Sequence, residues 1–159
     1  MYYKDEIEDK DRIVTGWGAS LSGIWQFAQN TSLCFQGVYG KGISNYIQDI
    51  SGTGLDLVPN ATAEGKLKAF GAWGGYIGFS HNWSKVLTSN IMYSYARVLD
   101  RYGMPTTSYK YAQYAAANLF WDFSEYGSCA IEYVFGRRND FNKDYGNASR
   151  INTMIQYRF

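Results

Sequence analysis

The chain has one histidine, His81, followed by Asn82 and with several serines near it. A base beside hydroxyls is the start of nucleophilic chemistry, which needs base and nucleophile within hydrogen-bond reach. No Gly-x-Ser-x-Gly elbow accompanies it. His81 also stands just ahead of a turn signal at Trp83-Ser84-Lys85, where polar side chains are ordinary. No covalent chemistry is expected, and the protein is read as a non-enzyme. No His, Cys, Asp and Glu spacing suits a metal, and no glycine-rich loop suits a phosphate, so no cofactor is expected. Cys34 and Cys129 suggest no disulfide framework and read as small packing residues.

The other side chains with recognition chemistry are basic. By alternation Lys110, Arg138, Arg150 and Arg158 fall on the polar face of their segments, and Arg97 and Arg137 are less regular in their facing. Arg158 lies close to the end of the chain. A guanidinium is a planar fork that pairs bidentately with a carboxylate, so the implied chemistry is recognition of small anions. The plainer alternative is a set of solvated charges, paired locally with Glu132 and Asp122. Either reading needs an element that places alternate residues on one face. The overall charge of +1 makes no case for nucleic acid, although five acids among the first 12 residues hide a more basic body.

That element is a long strand. The 159 residues include 15 Tyr, 9 Phe, 5 Trp and 17 Gly but only two Pro, and 46% are apolar. The mean hydropathy is only -0.34. No apolar run approaches the ~18 residues of a membrane helix, so hydrophobicity is abundant but dispersed. Period-two alternation between turn signals predicts seven strands, at 13–28, 31–41, 67–82, 86–98, 109–123, 128–138 and 148–159. The first sets Trp17, Ala19, Leu21, Gly23, Trp25 and Phe27 against Gly16, Gly18, Ser20, Ser22 and Gln26. Such lengths cross a ~25 Å apolar band with residues to spare, whereas strands of soluble sheets average ~5–6 residues. Short connections at 29–30, 83–85 and 124–127 alternate with longer ones at 42–66, 99–108 and 139–147. This is the pattern of a transmembrane antiparallel up-and-down β-barrel, with tight periplasmic turns and long extracellular loops. The aromatics read as interfacial girdles. The Asn-x-Ser/Thr triplets at Asn30, Asn60, Asn82 and Asn147 read as chance.

Several runs carry a resemblance. They are Phe35-Gln36-Gly37-Val38-Tyr39-Gly40-Lys41-Gly42-Ile43 with the Ser44–Asp49 stretch behind it, Gly75-Tyr76-Ile77-Gly78-Phe79-Ser80-His81-Asn82-Trp83, Glu132-Tyr133-Val134-Phe135-Gly136-Arg137-Arg138, and Asn147-Ala148-Ser149-Arg150-Ile151 before the terminal Tyr157 and Phe159. In order and spacing they resemble the DcaP-like family of trimeric outer-membrane porins. Asn45 departs from the pattern, in which an Arg is expected beside the Tyr.

The resemblance implies a barrel of about sixteen strands, an even number as such barrels require. Residues 13–159 would be its C-terminal strands, and residues 1–12 the remnant of an extracellular loop. It also implies a bacterial outer-membrane location and a homotrimer. Its function would be passive diffusion of small hydrophilic solutes, with a preference for anions such as dicarboxylates. In that setting Lys110, Arg137, Arg138, Arg150 and Arg97 are the expected pore-lining, anion-binding residues, since rings of Arg or Lys select anions. Ile155, Tyr157 and Phe159 are the expected C-terminal signal for the barrel assembly machinery. Outer-membrane lipid is the expected surrounding.

The odd strand count and the absence of a secretory signal at Met1-Tyr2-Tyr3-Lys4-Asp5 suggest part of a longer protein; a missed eighth strand is the competing account. With eight strands the chain would be a small closed barrel, serving as membrane anchor or adhesion platform without a pore. The small residues Gly16, Gly18, Ser20, Ser22, Gly74 and Gly78 speak against such a plugged interior. A soluble β-sandwich is the third reading. The 42–66 segment, with apolar Leu55, Leu57 and Val58, is expected to fold into the lumen, latch onto a neighbouring subunit, or remain a surface loop.

Overall fold

The alternating segments form long strands joined into one meander. The computed structural model describes residues 1–159 except Glu6, Ala61, Asp100 and Tyr102. In chain order its strands are β1 (Tyr2–Asp5), β2 (Lys10–Ile13), β3 (Trp17–Ala28), β4 (Thr31–Lys41), β5 (Leu57–Pro59), β6 (Leu67–Ala69), β7 (Gly71–Asn82), β8 (Leu87–Val98), β9 (Tyr109–Asp122), β10 (Gly127–Asp140) and β11 (Tyr145–Tyr157). Seven form a single sheet in the order β11-β10-β9-β8-β7-β4-β3. Every neighbouring pair is antiparallel. β3 and β11 are its two edges, each paired on one side only among the described residues.

Register gives the sheet two chemically distinct faces. Ala19 opposes Tyr39, Tyr39 opposes Trp73, Trp73 opposes Arg97, and Arg97 opposes Tyr111. Tyr111 opposes Asn139, which opposes Tyr145. Directly opposed residues point to the same side. Odd-numbered positions therefore share one face across all seven strands, and even-numbered positions share the other. Register shifts occur only near strand ends, between Gln26 and Ala28 and between Asn139 and Asp140.

The odd face is aromatic at both rims. At one end Trp17, Tyr39, Trp73, Tyr95 and Tyr111 follow one another, with ring centroids 5.7 Å apart for Trp17–Tyr39, 5.0 Å for Trp73–Tyr95 and 5.5 Å for Tyr95–Tyr111. At the other end stand Trp25, Phe27, Phe79, Trp121, Phe123 and Tyr157. Tyr111 and Trp121 lie about 33 Å apart along β9 at ~3.3 Å per residue, or about 25 Å along the membrane normal at ~40° tilt. Between the belts the face exposes Leu21, Ile77, Ile91, Ile131, Tyr133 and Ile151.

Several boundaries differ from the sequence expectation. The first long strand begins at Trp17 and not at residue 13, because Ile13 pairs with Tyr2 in a separate hairpin. Tyr2–Asp5 and Lys10–Ile13 form that hairpin, where a loop remnant was expected at 1–12. Residues 67–69 likewise leave the third strand to pair with Leu57–Pro59. The fully buried Phe70 then turns the chain into β7. The expected long link at 139–147 shrinks to a turn at 141–144, closed by Asp140 N donating to Asp144 O at 2.9 Å and carrying Lys143 at φ 75°. The short strands lie in two small sheets, and among the described residues none joins the main sheet as an eighth member.

The segment from Gly42 to Phe70 folds back over the even face. Its Ile43, Ile47, Ile50, Val58 and Phe70 bury against Ala72, Ala96, Val98 and Tyr109 of the sheet. Two glycines make the seats. A Cβ at Gly18 would come 2.9 Å from Ile43 Cγ2, and one at Gly74 would come 3.1 Å from Ile47 Cγ2. Asp56 clasps the fold-back, accepting hydrogen bonds from Ser44 N at 2.8 Å and Asn45 Nδ2 at 2.8 Å. Asn45, which departs from the family pattern, thus has a contact of its own, and its Oδ1 accepts from Gly52 N at 3.3 Å.

The N-terminal hairpin rests on this segment through Leu67 N, which donates to the Tyr3 hydroxyl at 2.9 Å. Its anchor is the buried Asp5. Burial pushes the Asp5 carboxyl up, but the amides of Glu8 and Ile7 and the Arg12 guanidinium outweigh it and hold it below its usual value. A carboxyl with a lowered folded value stabilises the fold above its unfolded value of about 3.9, and that contribution fades as pH falls through the folded value. Protection of the Ile7 and Glu8 amides, taken relative to their intrinsic exchange rates at each pH, is therefore expected to hold at neutral and mildly acidic pH and to fall only below about pH 4. Loss of protection already near neutrality would contradict this anchor. Gly74→Leu is expected to unseat Ile47, since overpacking costs about 1–3 kcal/mol. Limited proteolysis in detergent should then cut within 42–66 faster than in the unaltered protein.

Candidate functional site

Four polar side chains cross the even face in one row. Asn90 opposes Asn118, Asn118 opposes Glu132, and Glu132 opposes Asn152. Asn90 Nδ2 donates to Asn118 Oδ1 at 2.7 Å, and Asn118 Nδ2 donates to Glu132 Oε2 at 3.3 Å. Asn152 Nδ2 donates to Glu132 Oε1 at 2.9 Å. The row spans β8 to β11, nearer the tight turns than the long connections, and one carboxylate ties three neighbouring strands on that face. A wall of this kind suits contact with water.

The basic residues divide between the two faces. Arg150 is at an even position opposite Val134, one even step from Asn152. It is exposed and forms no ion pair among the described residues. Arg138 is also even, opposite Ala112 and Gly146, and its Nε pairs with Asp140 Oδ1 at 2.9 Å. Its guanidinium lies 5.7 Å from the Tyr109 ring centroid. Lys110 falls at the register shift, where Tyr111 opposes Asn139 but Tyr109 opposes Asp140. The shift turns Tyr109 into the core of the even face, and Lys110 Nζ lies 6.0 Å from the Phe141 ring centroid.

Two expectations are corrected. Arg97 opposes Trp73 and Tyr111, and Arg137 opposes Gln113 and Asn147, all at odd positions. Both belong to the aromatic face. Arg137 stands 4.2 Å from the Tyr145 ring centroid. Arg97 Nε is enclosed yet has no hydrogen-bond partner. Their less regular facing in the sequence reflects the aromatic rim, where a cation can lie over rings instead of in water.

The remaining sequence candidates sit at the rims. Asp122 opposes Ser128 on the even face near the tight turns. Arg158 follows β11, its amide donating to Tyr126 O at 2.8 Å. Ile155, Tyr157 and Phe159 are all exposed, and the first two lie within β11 on the odd face. His81 is on the odd face, opposite Thr31 and Ser89. Its Nδ1 lies 2.8 Å from Thr31 Oγ1, and its ring meets Trp83 edge-on at 4.5 Å. No carboxylate or amide orients the ring among the described residues. Cys34 and Cys129 are free, on opposite faces by their parity.

The row of donors and acceptors was not anticipated as a unit. Its signal was present, because Asn90, Asn118, Glu132 and Asn152 are all even, but only the register brings them level. Of the expected placements for the 42–66 segment, the structure shows packing against the even face of the sheet, with Ile43 and Ile47 seated on the two glycines. Between it and the wall lies a space of about 300 Å³ lined in part by Gln36, Tyr46, Gln48, Asp49, Tyr76 and Ser94.

A meander with a two-belted apolar face and a polar opposite face, partly covered by a fold-back, is the architecture of a transmembrane β-barrel wall. Among solved structures, the chain is similar to the outer membrane channel DcaP of Acinetobacter baumannii. The TM-score is 0.78 at 20% identity, over 99% of this chain and 44% of that chain. This chain thus spans less than half the length of that channel. Comparison with family profiles and with curated protein sequences finds no match. The similarity establishes the fold expected from the resembling runs.

Glu132→Leu is expected to strand the Asn118 and Asn152 amides, costing about 1 kcal/mol. The thermal midpoint in detergent should fall, and Glu132→Gln, which keeps an acceptor, should restore most of it. Equal midpoints for both variants would show that the row contributes nothing to stability.

Proposed function

We propose that this chain forms part of the wall of an outer-membrane channel for passive diffusion of small hydrophilic solutes. The observation that carries the reading is the Asn90–Asn118–Glu132–Asn152 row, on the face opposite the aromatic belts. A wall wet on one side and greasy on the other separates water from lipid. The similarity to the DcaP channel supports this reading, as does the match covering only 44% of that chain. The open edges at β3 and β11 favour a larger barrel over a small closed one, because lipid cannot satisfy unpaired backbone groups. About sixteen strands in all, a homotrimeric assembly and recognition of Ile155, Tyr157 and Phe159 by barrel assembly machinery belong to the same proposal. No covalent step is part of it.

Anion preference rests on the even-face cations. Arg150 is the strongest contributor, since it presents an uncompensated charge to the lumen. Arg138 contributes less, because Asp140 offsets it. Lys110 adds a third cation near the infolded segment. A dicarboxylate-like solute suits this set, since its charged ends match guanidinium forks. Glu132 opposes the preference by one charge, so selectivity should be moderate.

In planar bilayers the full-length protein is expected to conduct and to favour anions. Arg150→Ala should move the reversal potential toward cation selectivity. Arg138→Ala should do the same, because it also frees Asp140. Unchanged reversal potentials in both variants would remove the filter assignment while leaving the channel reading intact.

A further inference from the structure

The odd face carries an apolar trough with cations at one end only. Gly37 and Gly75 oppose each other across β4 and β7, so no side chain stands between them. Around them Leu21, Tyr39, Trp73, Ile77, Tyr93 and Tyr95 line a groove of about 1050 Å³ that is almost wholly apolar. Lys41 and Arg97 stand at its rim beside the long connections, opposite Gly71 and Trp73 respectively. Neither forms an ion pair among the described residues, and Arg97 Nε is without a partner. Arg137 continues the row on β10.

The charge pattern is one-sided in two respects. No acid occupies an odd position in any of the seven sheet strands, so no acid within the strands faces these cations. All three lie at the strand ends beside the aromatic belt of Tyr39, Trp73, Tyr95 and Tyr111, and the tight-turn end of that face has no strand cation. An apolar trough ending at unpaired cations complements an amphiphile with a hydrocarbon tail and an anionic head. In bacterial barrels the long-loop end faces outward.

The geometry points to a docking site for a phosphorylated lipid of the outward leaflet. One acyl chain lies over Gly37 and Gly75, and the phosphate meets Arg97 and Lys41. The inference rests on the membrane-wall reading above, and the trough is continuous with the lipid-facing surface that reading assigns. Arg suits the role, since its fork pairs bidentately with phosphate. A cation near a membrane surface changes anionic-lipid affinity by about five-fold.

The test is native mass spectrometry of the full-length protein in detergent with diphosphoryl lipid A, alongside its dephosphorylated form. Bilayer conductance is recorded for each variant. Binding of the phosphorylated lipid is expected, with about a five-fold loss for each of Arg97→Gln and Lys41→Gln. The dephosphorylated lipid should bind as weakly to the unaltered protein as the phosphorylated one binds to the double variant. Gly37→Phe should also lower occupancy, since a Cβ there meets nothing within 4 Å and the ring fills the trough without disturbing the sheet. Conductance should persist in all of these variants. Equal binding by both lipids, or no change in the charge variants while conductance persists, overturns the lipid site alone. Capture of the trough by a neighbouring subunit, seen as a disulfide-linked oligomer of Gly37→Cys, also overturns it. Absence of any channel overturns the wall reading and the lipid site together.

Discussion

Everything in this molecule follows from the requirement that backbone amides and carbonyls facing lipid find partners within the sheet. An antiparallel ladder meets that requirement only in a definite register, and a slip of one residue would turn every side chain to the opposite face. Across the six strand interfaces the register keeps odd opposite odd, and the irregularities stay near the strand ends. The aromatic belts, the polar row and the rim cations are three results of that one constraint.

Glycine shapes both faces of the wall. Gly74 points to the polar face and leaves the seat that Ile47 fills. Its neighbour Gly75 points to the aromatic face and, with Gly37, leaves a trough. A Cβ at Gly75 would come 2.5 Å from Gln36 O, so the backbones of β4 and β7 approach there as closely as only glycine permits. Consecutive glycines thus lodge a chain segment on one side of the sheet and open a recess on the other.

Charge is sorted by the same parity. Arg137 and Arg138 are neighbours in sequence but lie on opposite sides of the wall, one over Tyr145 and the other against Asp140. Acids within the sheet strands, Asp122, Glu132 and Asp140, all stand at even positions. The polar face is therefore mixed in sign and suited to hydrated solutes. Among the strand residues the aromatic face carries only cations as charged groups, and they stand at one rim.

The sequence by itself determined the strands, their alternation and the side on which most residues fall, because period two is a local property of an extended chain. The short turns at 29–30 and near 84 and 125 were legible for the same reason. Position 137 and position 97 were not, since a basic residue beside aromatics reads alike whether it faces water or a membrane rim. The tertiary structure alone decided those two, because register is a relation between strands. It also decided that Phe70 breaks the expected 67–82 strand, that Asp140 and Asp144 close a turn where a loop was expected, and that Ile43 and Ile47 sit on Gly18 and Gly74. The 140–144 turn is a local hydrogen bond that the run of polar residues there did not single out. The seats on Gly18 and Gly74 depend on residues distant in sequence meeting at van der Waals distance, which no local pattern encodes.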